Sequence, residues 1–363
     1  MKIIFFSTYY EEYLKSFYKK RPGLRLEAYD TQMQILKNDY FGYWGSYVDS
    51  FLKLGFDAQL IIPNCRPLQW RWAKENDIIV DENNWQFTIP VEQVKKIKPD
   101  IFYTSSMFEY FDWFVDEIKP YTRKVFGWVS CEIPKGAKMN KLDLVLSSLP
   151  YFVENFRKEG LKSEYLHAAF DKNILESLKP FPEKDIEFSF VGNLTIAHSN
   201  RIKLIKTLIE QTPLQVYGTG IKTIPDTRSF FTRIFTPSIY QQRFMGQSWG
   251  LDMYRVLQRS KITFNAHIDI SKGFAANMRM FEATGVGTLL LTDGKMGPLK
   301  LFKDDEVVYY DTVKEAIEKY DYYIARTAER EEIAKKGQMR TLSEYNSDVV
   351  SAKLCDFIKK YMQ

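Results

Sequence analysis

The sequence has few of the residues that form disulfide frameworks or metal sites. Its 363 residues include three cysteines and three histidines. Cys65, Cys131 and Cys355 lie far apart, form no C-x-x-C pair and have no histidine at the spacing of metal ligands. These spacings favour reduced structural thiols. We therefore expect no metal site, and we expect no bound cofactor either.

Long apolar runs and a large excess of charge are also missing. No stretch approaches the roughly 18 apolar residues that mark a membrane span. The apolar run within residues 1–7 is too short for a secretory signal, and Glu11 and Glu12 soon follow it. A net charge of +5 is mild for this length and does not indicate nucleic-acid binding, although it suits an acidic ligand. We expect a soluble, cytoplasmic protein with no nucleic-acid partner.

What the sequence does contain is an alternation of short β-branched or aromatic runs with helix-like stretches, which predicts βαβ units and parallel sheets. The first half predicts strands at 2–6, 58–62, 101–103, 124–128 and 142–146, and helices at 44–54, 91–97 and 150–158. The second half predicts strands at 186–191, 214–217, 262–265, 288–291 and 307–310, and helices at 199–211, 251–259 and 277–284.

Length and pattern together predict an α/β protein with two doubly wound, Rossmann-like domains facing a cleft. A polar, proline-containing stretch at 179–185 resembles a linker. We place the first domain at 1–175 and the second at 185–345. Residues 346–363 are predicted to form a C-terminal helix that crosses back to the first domain.

The most informative stretch runs from FNAHID (264–269) to GFAANMRMFEATGVGTLLLTD (273–293). A predicted strand is followed by a loop of small residues, the loop leads into a helix, and a glycine-containing turn connects this helix to a second strand. The N-terminus of such a helix offers backbone N–H groups and a positive dipole end, which suit a diphosphate. Arg279 and Glu282 are three residues apart on one helix face. The arginine could therefore bind phosphate while the glutamate accepts hydrogen bonds from ribose hydroxyls.

This segment resembles the C-terminal domain of the "glycosyl transferases group 1" family, which includes the CgeB-like proteins. Further similar stretches are YDTQM (29–33), residues 64–73, LDLVLSS (142–148), FVGN (190–193) with His198 and Arg201, and GQMRTL (337–342). The resemblance implies a GT-B enzyme that moves a sugar from a nucleotide-sugar donor, its co-substrate, to an acceptor without a metal. It also implies that the C-terminal domain holds the nucleotide.

The same resemblance bears on the site residues. Glu282 corresponds to the family's ribose-binding glutamate, and Asn277 and Arg279 share its helix as donor-binding residues. Many retaining relatives carry an earlier glutamate, spaced E-x7-E, and Phe274 stands at that position here. The stereochemical outcome therefore stays open. So do two rival functions, a non-catalytic sugar- or nucleotide-binding protein and a nucleotide-sugar epimerase.

Other donor contacts are predicted at the ends of earlier strands of the second domain. Gly192 and Asn193 form a turn after a strand, and Arg201 begins the next helix, where it either contacts a donor phosphate or lies on a solvated face. Gly218 ends another strand in a permissive loop that could contact base or ribose. With only two glycines of a G-x-G-x-x-G present, a dinucleotide fingerprint is not indicated.

An inverting reaction needs a general base, and four residues are candidates. Asp39, Glu109 and Glu132 lie near predicted strand ends or loops of the first domain, and His267 follows the strand at 262–265. For His267 the alternative is a structural histidine. The loop at 39–46 either handles the acceptor or is a helix entry turn with buried aromatic residues.

Two features indicate partners less directly. The acidic run at 304–306 precedes a strand-like run and predicts an exposed turn rather than a metal site. Basic, aromatic stretches at 13–25 and 228–244 either touch an anionic membrane surface or lipid-linked acceptor, or are solvated loops with anchoring aromatics. The acceptor, whether glycan, lipid-linked or protein, is not identified by the sequence.

Overall fold

The structure is a computed structural model that describes residues 1–110, 112–137, 139–180, 183–194, 199–224, 238–267, 277–293 and 300–362. It divides into two compact units. The first consists of Met1–His167 with Ser347–Gln363, and the second of Ala168–Asn346. The boundary between His167 and Ala168 therefore lies upstream of the proline-containing stretch at 179–185.

The first unit is built around a six-stranded parallel sheet. Its strands are β1 (Lys2–Phe6), β2 (Asp57–Ile61), β3 (Ile101–Thr104), β4 (Lys124–Trp128), β5 (Leu144–Ser147) and β6 (Ser163–Tyr165), in the spatial order β2-β1-β3-β4-β5-β6. Its helices are α1 (Glu11–Lys19), α2 (Tyr29–Lys37), α3 (Trp44–Lys53), α4 (Arg66–Glu75), α5 (Trp85–Ile97), α6 (Met107–Tyr110), α7 (Asp112–Ile118) and α8 (Pro150–Lys158). Short 3₁₀ helices cover Pro22–Leu26 and Lys119–Tyr121.

The central strands of this sheet are buried on both faces, which is why they read as continuous apolar runs. In β1, Ile3 to Phe6 are at most 1% exposed. Phe5 packs against the rings of Trp44, Phe51 and Tyr103, with centroids 5.3–6.0 Å away. The first core is therefore largely aromatic.

The second unit repeats the arrangement with a second six-stranded parallel sheet. Its strands are β7 (Ile186–Val191), β8 (Gln215–Tyr217), β9 (Phe244–Gly246), β10 (Ser260–Asn265), β11 (Leu289–Thr292) and β12 (Val308–Tyr309), in the order β12-β11-β10-β7-β8-β9. Its helices are α9 (Asn173–Ser177), α10 (Ser199–Gln211), α11 (Ile239–Arg243), α12 (Gly250–Arg259), α13 (Met278–Gly285), α14 (Val313–Ala325) and α15 (Thr327–Glu344). A 3₁₀ helix covers Ile221–Thr223.

The last helix, α16 (Ser347–Tyr361), packs on α3 and so belongs to the first unit. Val350, Leu354 and Ile358 are buried, and the Ser50 hydroxyl donates to the Asp348 carboxylate at 3.1 Å. The predicted return of the C-terminal helix to the first domain is confirmed.

The expected fold, two parallel α/β domains, is also confirmed, with several local differences. The structure adds the three-residue strands β6 and β9, which lie at sheet edges. The basic stretch at 13–25 forms α1 and the 3₁₀ helix Pro22–Leu26, with Tyr13, Phe17 and Tyr18 buried. Those aromatic rings are therefore not available to a membrane surface. In the part of the chain that the structure describes, no helix is long and apolar enough to cross a membrane.

Candidate active site

A group of polar side chains of the second unit lies at the carboxyl edge of its sheet, where ligands bind in open parallel sheets. The loops after β7, β8, β10 and β11 all emerge at this edge because their strands are parallel. Asn265, at the end of β10, is paired in register with Thr292, at the end of β11. The residues that follow these two strands are thereby brought together.

His267 and Asp293 form a hydrogen-bonded pair just beyond those strand ends. The His267 backbone N–H donates to both Asp293 oxygens (2.9 and 3.0 Å), and its ring Nδ1 lies 2.6 Å from Oδ1. The imidazole is 3% exposed and the carboxylate 33%. This contact fixes the ring and favours the tautomer that carries its proton on Nδ1, as a carboxylate does for a proton-transferring histidine.

Helix α13 begins beside this pair. Its N-cap residue, Asn277, does not cap the helix with its side chain. Instead, Nδ2 of Asn277 donates to Oδ1 of Asn265 at 2.8 Å, and Nδ2 of Asn265 donates to Thr292 Oγ1 at 2.9 Å. These bonds hold the start of α13 against the ends of β10 and β11, so the positive end of the helix dipole points into the edge.

Arg201, in the first turn of α10, reaches the same edge. Its Nη2 donates to the carbonyl of Ala266, the residue before His267, at 2.9 Å. The Tyr310 hydroxyl donates to the Asn265 carbonyl at 3.0 Å. Burial, and secondarily the Asp293 carboxylate, raise the pKa of Tyr310, while Arg201 acts in the opposite direction. The structure thus places Arg201 beside Asn265 and His267.

Arg279 and Glu282 lie together on α13, as their spacing predicts. Nη1 of Arg279 is 2.8 Å from Oε2 of Glu282, and the side chains are 14% and 7% exposed. Tyr254 of α12 is also hydrogen-bonded to Glu282, and its pKa is raised well above the usual value, first by burial and next by that carboxylate. Glu282 is therefore held on two sides within the unit.

Gly192, Asn193 and Gly218 form a tight contact between two neighbouring loops. Leu194 N–H donates to the Thr219 carbonyl and Thr219 N–H donates to the Asn193 side chain, at 3.0 and 3.1 Å. A Cβ on Gly218 would lie 1.9 Å from the Gly192 carbonyl oxygen. This close approach explains the glycine at 218 without a ligand.

The carboxyl edge of the first sheet carries a different set of groups. After β1 and β3, the Ser105 hydroxyl donates to Ser7 Oγ (3.0 Å), and the Thr8 N–H donates to Ser106 Oγ (2.7 Å). After β4 and β5, Ser130, Ser147 and Ser148 are linked by hydroxyl contacts of 2.9–3.2 Å. These groups are small and neutral.

The three acidic candidates of the first unit occupy different settings. Asp39 accepts hydrogen bonds from the Tyr13 hydroxyl (2.9 Å) and from Arg21 (3.3 Å), which ties its loop to α1. Glu109 and Glu132 are exposed and follow the neighbouring strands β3 and β4. The structure therefore gives Asp39 a structural contact and leaves the general base a prediction.

The structure also describes two further stretches for which the sequence made predictions, the loop at 39–46 and the acidic run at 304–306. Tyr43 and Trp44, at the start of α3, are 8% and 4% exposed, so the loop at 39–46 leads into the helix with buried aromatic residues, and its acceptor role stays a prediction. The acidic run at 304–306 is a turn in which Lys300 pairs with Asp304 at 2.7 Å. Among the described residues, no group of three or more histidine, cysteine, aspartate or glutamate side chains could hold a metal.

Sequence reasoning missed Asp293, Asn265 and Tyr254. The signal for Asp293 was present, since it lies two residues after the strand predicted at 288–291, and that strand pairs with the one before His267. Finding it requires the β10–β11 register, which spacing alone does not supply. His198, Phe274 and most of the stretch at 228–244 lie outside the described residues.

Comparison with known proteins adds a family and a fold. Residues 201–356, rather less than half of the chain, match the family model Glyco_trans_1_2, described as glycosyl transferase-like. The sequence has no match among curated proteins.

Solved structures resemble the chain over nearly its whole length. Sucrose-phosphate synthase from Thermosynechococcus elongatus matches with 9% identity and a TM-score of 0.58, covering 99% of each chain. A glycosyltransferase from Rickettsia africae matches with 14% identity and a TM-score of 0.58, covering 100% of this chain and 98% of that one. Anabaena HepE, solved with UDP and glucose, matches with 12% identity and a TM-score of 0.58, covering 99% of each.

At these identities the structural matches establish the fold alone, and the family match adds the activity class. The CgeB-like subfamily stays a prediction. Together, the glycosyl transferase-like match and the two-sheet fold identify the chain as a glycosyltransferase of the GT-B fold.

Proposed function

We propose that this enzyme binds a nucleotide-sugar at the carboxyl edge of the second sheet and transfers the sugar without a metal ion. The observation that carries the proposal is the start of α13. Because the Asn277 side chain bonds to Asn265 rather than capping its own helix, the helix N-terminus presents its dipole beside Arg201 and His267. A diphosphate fits such a position.

The roles follow from charge and position. The α13 N-terminus and Arg201 stabilise the diphosphate, and Glu282 accepts hydrogen bonds from the ribose, held in place by Arg279 and Tyr254. In the transfer, an acceptor oxygen forms a bond to the anomeric carbon as the bond from that carbon to the diphosphate breaks. The electron pair leaves with the diphosphate, and a base takes the acceptor proton.

His267 is the base or proton carrier that the geometry favours, because Asp293 orients its ring at the same edge. Asp39, Glu109 and Glu132 are the alternatives for an inverting reaction. Whether the enzyme retains or inverts is decided by the anomeric configuration of its product.

We further propose uridine diphosphate as the nucleotide. HepE, whose fold this chain shares, was solved with UDP and with UDP-glucose. The acceptor, whether glycan, lipid-linked or protein, binds through the first unit.

The first experiment is calorimetric titration with UDP, GDP and ADP, accompanied by melting curves. A ligand that binds the folded state raises the melting temperature. Arg201→Ala should weaken diphosphate binding, whereas Lys203→Ala, an exposed residue on a different face of α10, should not. Equal effects of the two substitutions would remove Arg201 from the site.

The second experiment measures nucleoside diphosphate release with and without added acceptors and with EDTA. Acceptor-dependent release that survives EDTA supports metal-independent transfer. Conversion of the donor without nucleotide release would instead indicate an epimerase, and binding without turnover a non-catalytic protein.

A further inference from the structure

A cavity of about 840 Å³ lies in the first unit, apart from the residues of the proposed donor site. This open cavity is lined by α1, the 3₁₀ helix Pro22–Leu26, α4 and the start of α5. Its volume is at the upper end of the roughly 300–1,000 Å³ typical of ligand pockets. It is therefore large enough for a ligand of several rings.

The lining of this cavity follows from helix periodicity. Arg66, Trp70 and Lys74 are spaced by four residues along α4, so they share one face of that helix. Leu14 and Tyr18 have the same spacing on α1. The two helix faces place aromatic and basic side chains around one space.

The charge of the lining is strongly one-sided. Five basic side chains and one acidic side chain, Glu11, line the cavity. Glu11 pairs with Lys15 at 3.0 Å, while Arg66 and Arg71 pair with Glu82 and Glu75. Two further cations, Arg25 and Lys74, are exposed and make no ion pair with any residue that the structure describes. The cavity thus retains a positive charge that suits an anionic ligand.

Aromatic surface accompanies this charge. Trp70 and Trp85 line the cavity and are partly exposed, and the Arg66 guanidinium lies over the Trp70 ring at 5.1 Å. Indole faces stack on the C–H faces of sugar rings, because both surfaces are flat and apolar, while the hydroxyls remain at the ring edges for hydrogen bonding. Arginine and lysine are hydrogen-bond donors only, so they select ligands rich in acceptors.

From these features we infer that the cavity is an acceptor subsite for an acidic oligosaccharide, one whose sugar rings carry carboxylate or sulfate groups. The acceptor role rests on the proposed transferase function. Sugar rings stack on Trp70 and Trp85, and the acidic groups meet Arg25 and Lys74. The assignment narrows the acceptor from an unspecified glycan, lipid or protein to one chemical class.

The test is calorimetric titration of the full chain with tetragalacturonate, a heparin-derived tetrasaccharide and neutral cellotetraose. We expect at least one acidic probe to bind, the neutral probe to bind at least about tenfold more weakly, and added salt to reduce the difference. In Arg25→Glu/Lys74→Glu, acidic binding should fall by about tenfold or more. Lys158→Glu, an exposed charge reversal at the end of α8, should leave it unchanged.

Trp70→Ala and Trp70→Phe test the aromatic face separately. The alanine variant should bind both the acidic and the neutral probes more weakly than the wild-type chain does. The phenylalanine variant should restore this binding. The inference is overturned if no acidic probe binds, if the neutral probe binds as tightly, or if charge reversal at 25 and 74 has no more effect than at 158.

UDP titration of the same proteins distinguishes this inference from the proposed function. UDP binding that persists in the cavity variants shows that they are folded, so that loss of oligosaccharide binding reports on the cavity. If the wild-type chain binds an acidic probe but no nucleotide, the donor site and the acceptor role are contradicted. The assignment of the cavity to an acidic oligosaccharide then still stands. UDP binding that is lost in the charge-reversal variant would place the nucleotide in the cavity and overturn the oligosaccharide assignment.

Discussion

The two sheets have the same number of strands and are both parallel, yet their carboxyl edges carry different chemistry. In the first unit the residues after the strands supply neutral hydroxyls that bond in two separate groups, Ser105 with Ser7 and Ser148 with Ser130, and the exposed carboxylates Glu109 and Glu132 follow β3 and β4. In the second unit the same edge carries an imidazole with a carboxylate, His267 and Asp293, and a nearby guanidinium.

The difference teaches that an edge of parallel strands is a position for function and does not specify the function. Hydroxyls that bond to one another are satisfied without bringing charge to the edge. The second edge combines a cation, a helix N-terminus and an oriented imidazole, which are the groups that stabilise a departing diphosphate and move a proton. We therefore expect substitutions at the two edges to have very different consequences.

The largest expected effect is that of His267→Ala. If His267 transfers a proton, its loss should reduce the turnover rate by about 10²–10⁴. The measurement is nucleoside diphosphate release from the donor that binds most tightly, with a melting curve to check folding. Asp293→Asn should also reduce the rate, because the His267 N–H donates to both carboxylate oxygens and an amide nitrogen in place of one of them would face that donor and misorient the ring. A His267→Ala enzyme with an unchanged rate would leave the second edge a binding surface only.

Glu282→Ala should reduce both stability and donor affinity. The substitution leaves the Arg279 charge, 14% exposed, without its carboxylate, at a cost of about 3–5 kcal/mol in the free energy of unfolding. Loss of a charged acceptor for the ribose should cost about 1.5–3 kcal/mol more in binding, roughly ten- to a hundredfold in donor affinity.

Tyr254→Phe serves as the control for Glu282, since it removes one hydroxyl and keeps the ion pair. Denaturant unfolding and calorimetry of each variant separate the two effects. Reduced stability with unchanged affinity per folded molecule would assign Glu282 to the structure of α13 and remove it from the donor site.

Gly218→Ala tests the contact between the loops after β7 and β8. The added Cβ would lie 1.9 Å from the Gly192 carbonyl oxygen, so the loops must separate, at about 1–3 kcal/mol. Gly23→Ala is the matched control, because nothing lies within 4 Å of a Cβ there, and it should change stability by no more than about 0.5 kcal/mol. Equal melting temperatures for the two variants would show that the contact is easily opened.

The smallest expected effect belongs to the first edge. Ser105→Ala removes one hydroxyl contact to Ser7 and should cost about 0.5–1.5 kcal/mol of stability, with no change in donor affinity. Thermal unfolding and UDP titration measure the two quantities. A marked loss of UDP binding would contradict the assignment of the nucleotide to the second unit.

The elements that could be predicted from the sequence are those whose own residues determine their conformation. Strands such as β3 and β11 are buried, largely apolar runs, and these could be predicted from pattern alone. The edge strands β6 and β9 could not, because three residues gain their conformation from pairing with one neighbour. Helix α1 was missed although Tyr13, Leu14, Phe17 and Tyr18 already follow helical spacing.

The candidate site shows the same division. The Arg279–Glu282 pair could be predicted because three residues on one helix fix its geometry. The His267–Asp293 pair joins residues 26 apart and depends on strand register, and the Tyr254 contact joins two helices. Single residues could be found from sequence, but their partners could not.

The position of α16 also bears on how the protein is made. The first unit contains the earliest part of the chain and the last helix, with the whole second unit between them in sequence. A ribosome therefore releases every residue of the second unit before it releases Ser347–Tyr361, whose buried side chains cover α3. Domains usually fold in the order of synthesis. Here the unit that begins first is completed last, so a nascent chain can acquire the proposed donor site before the unit proposed to bind the acceptor is complete.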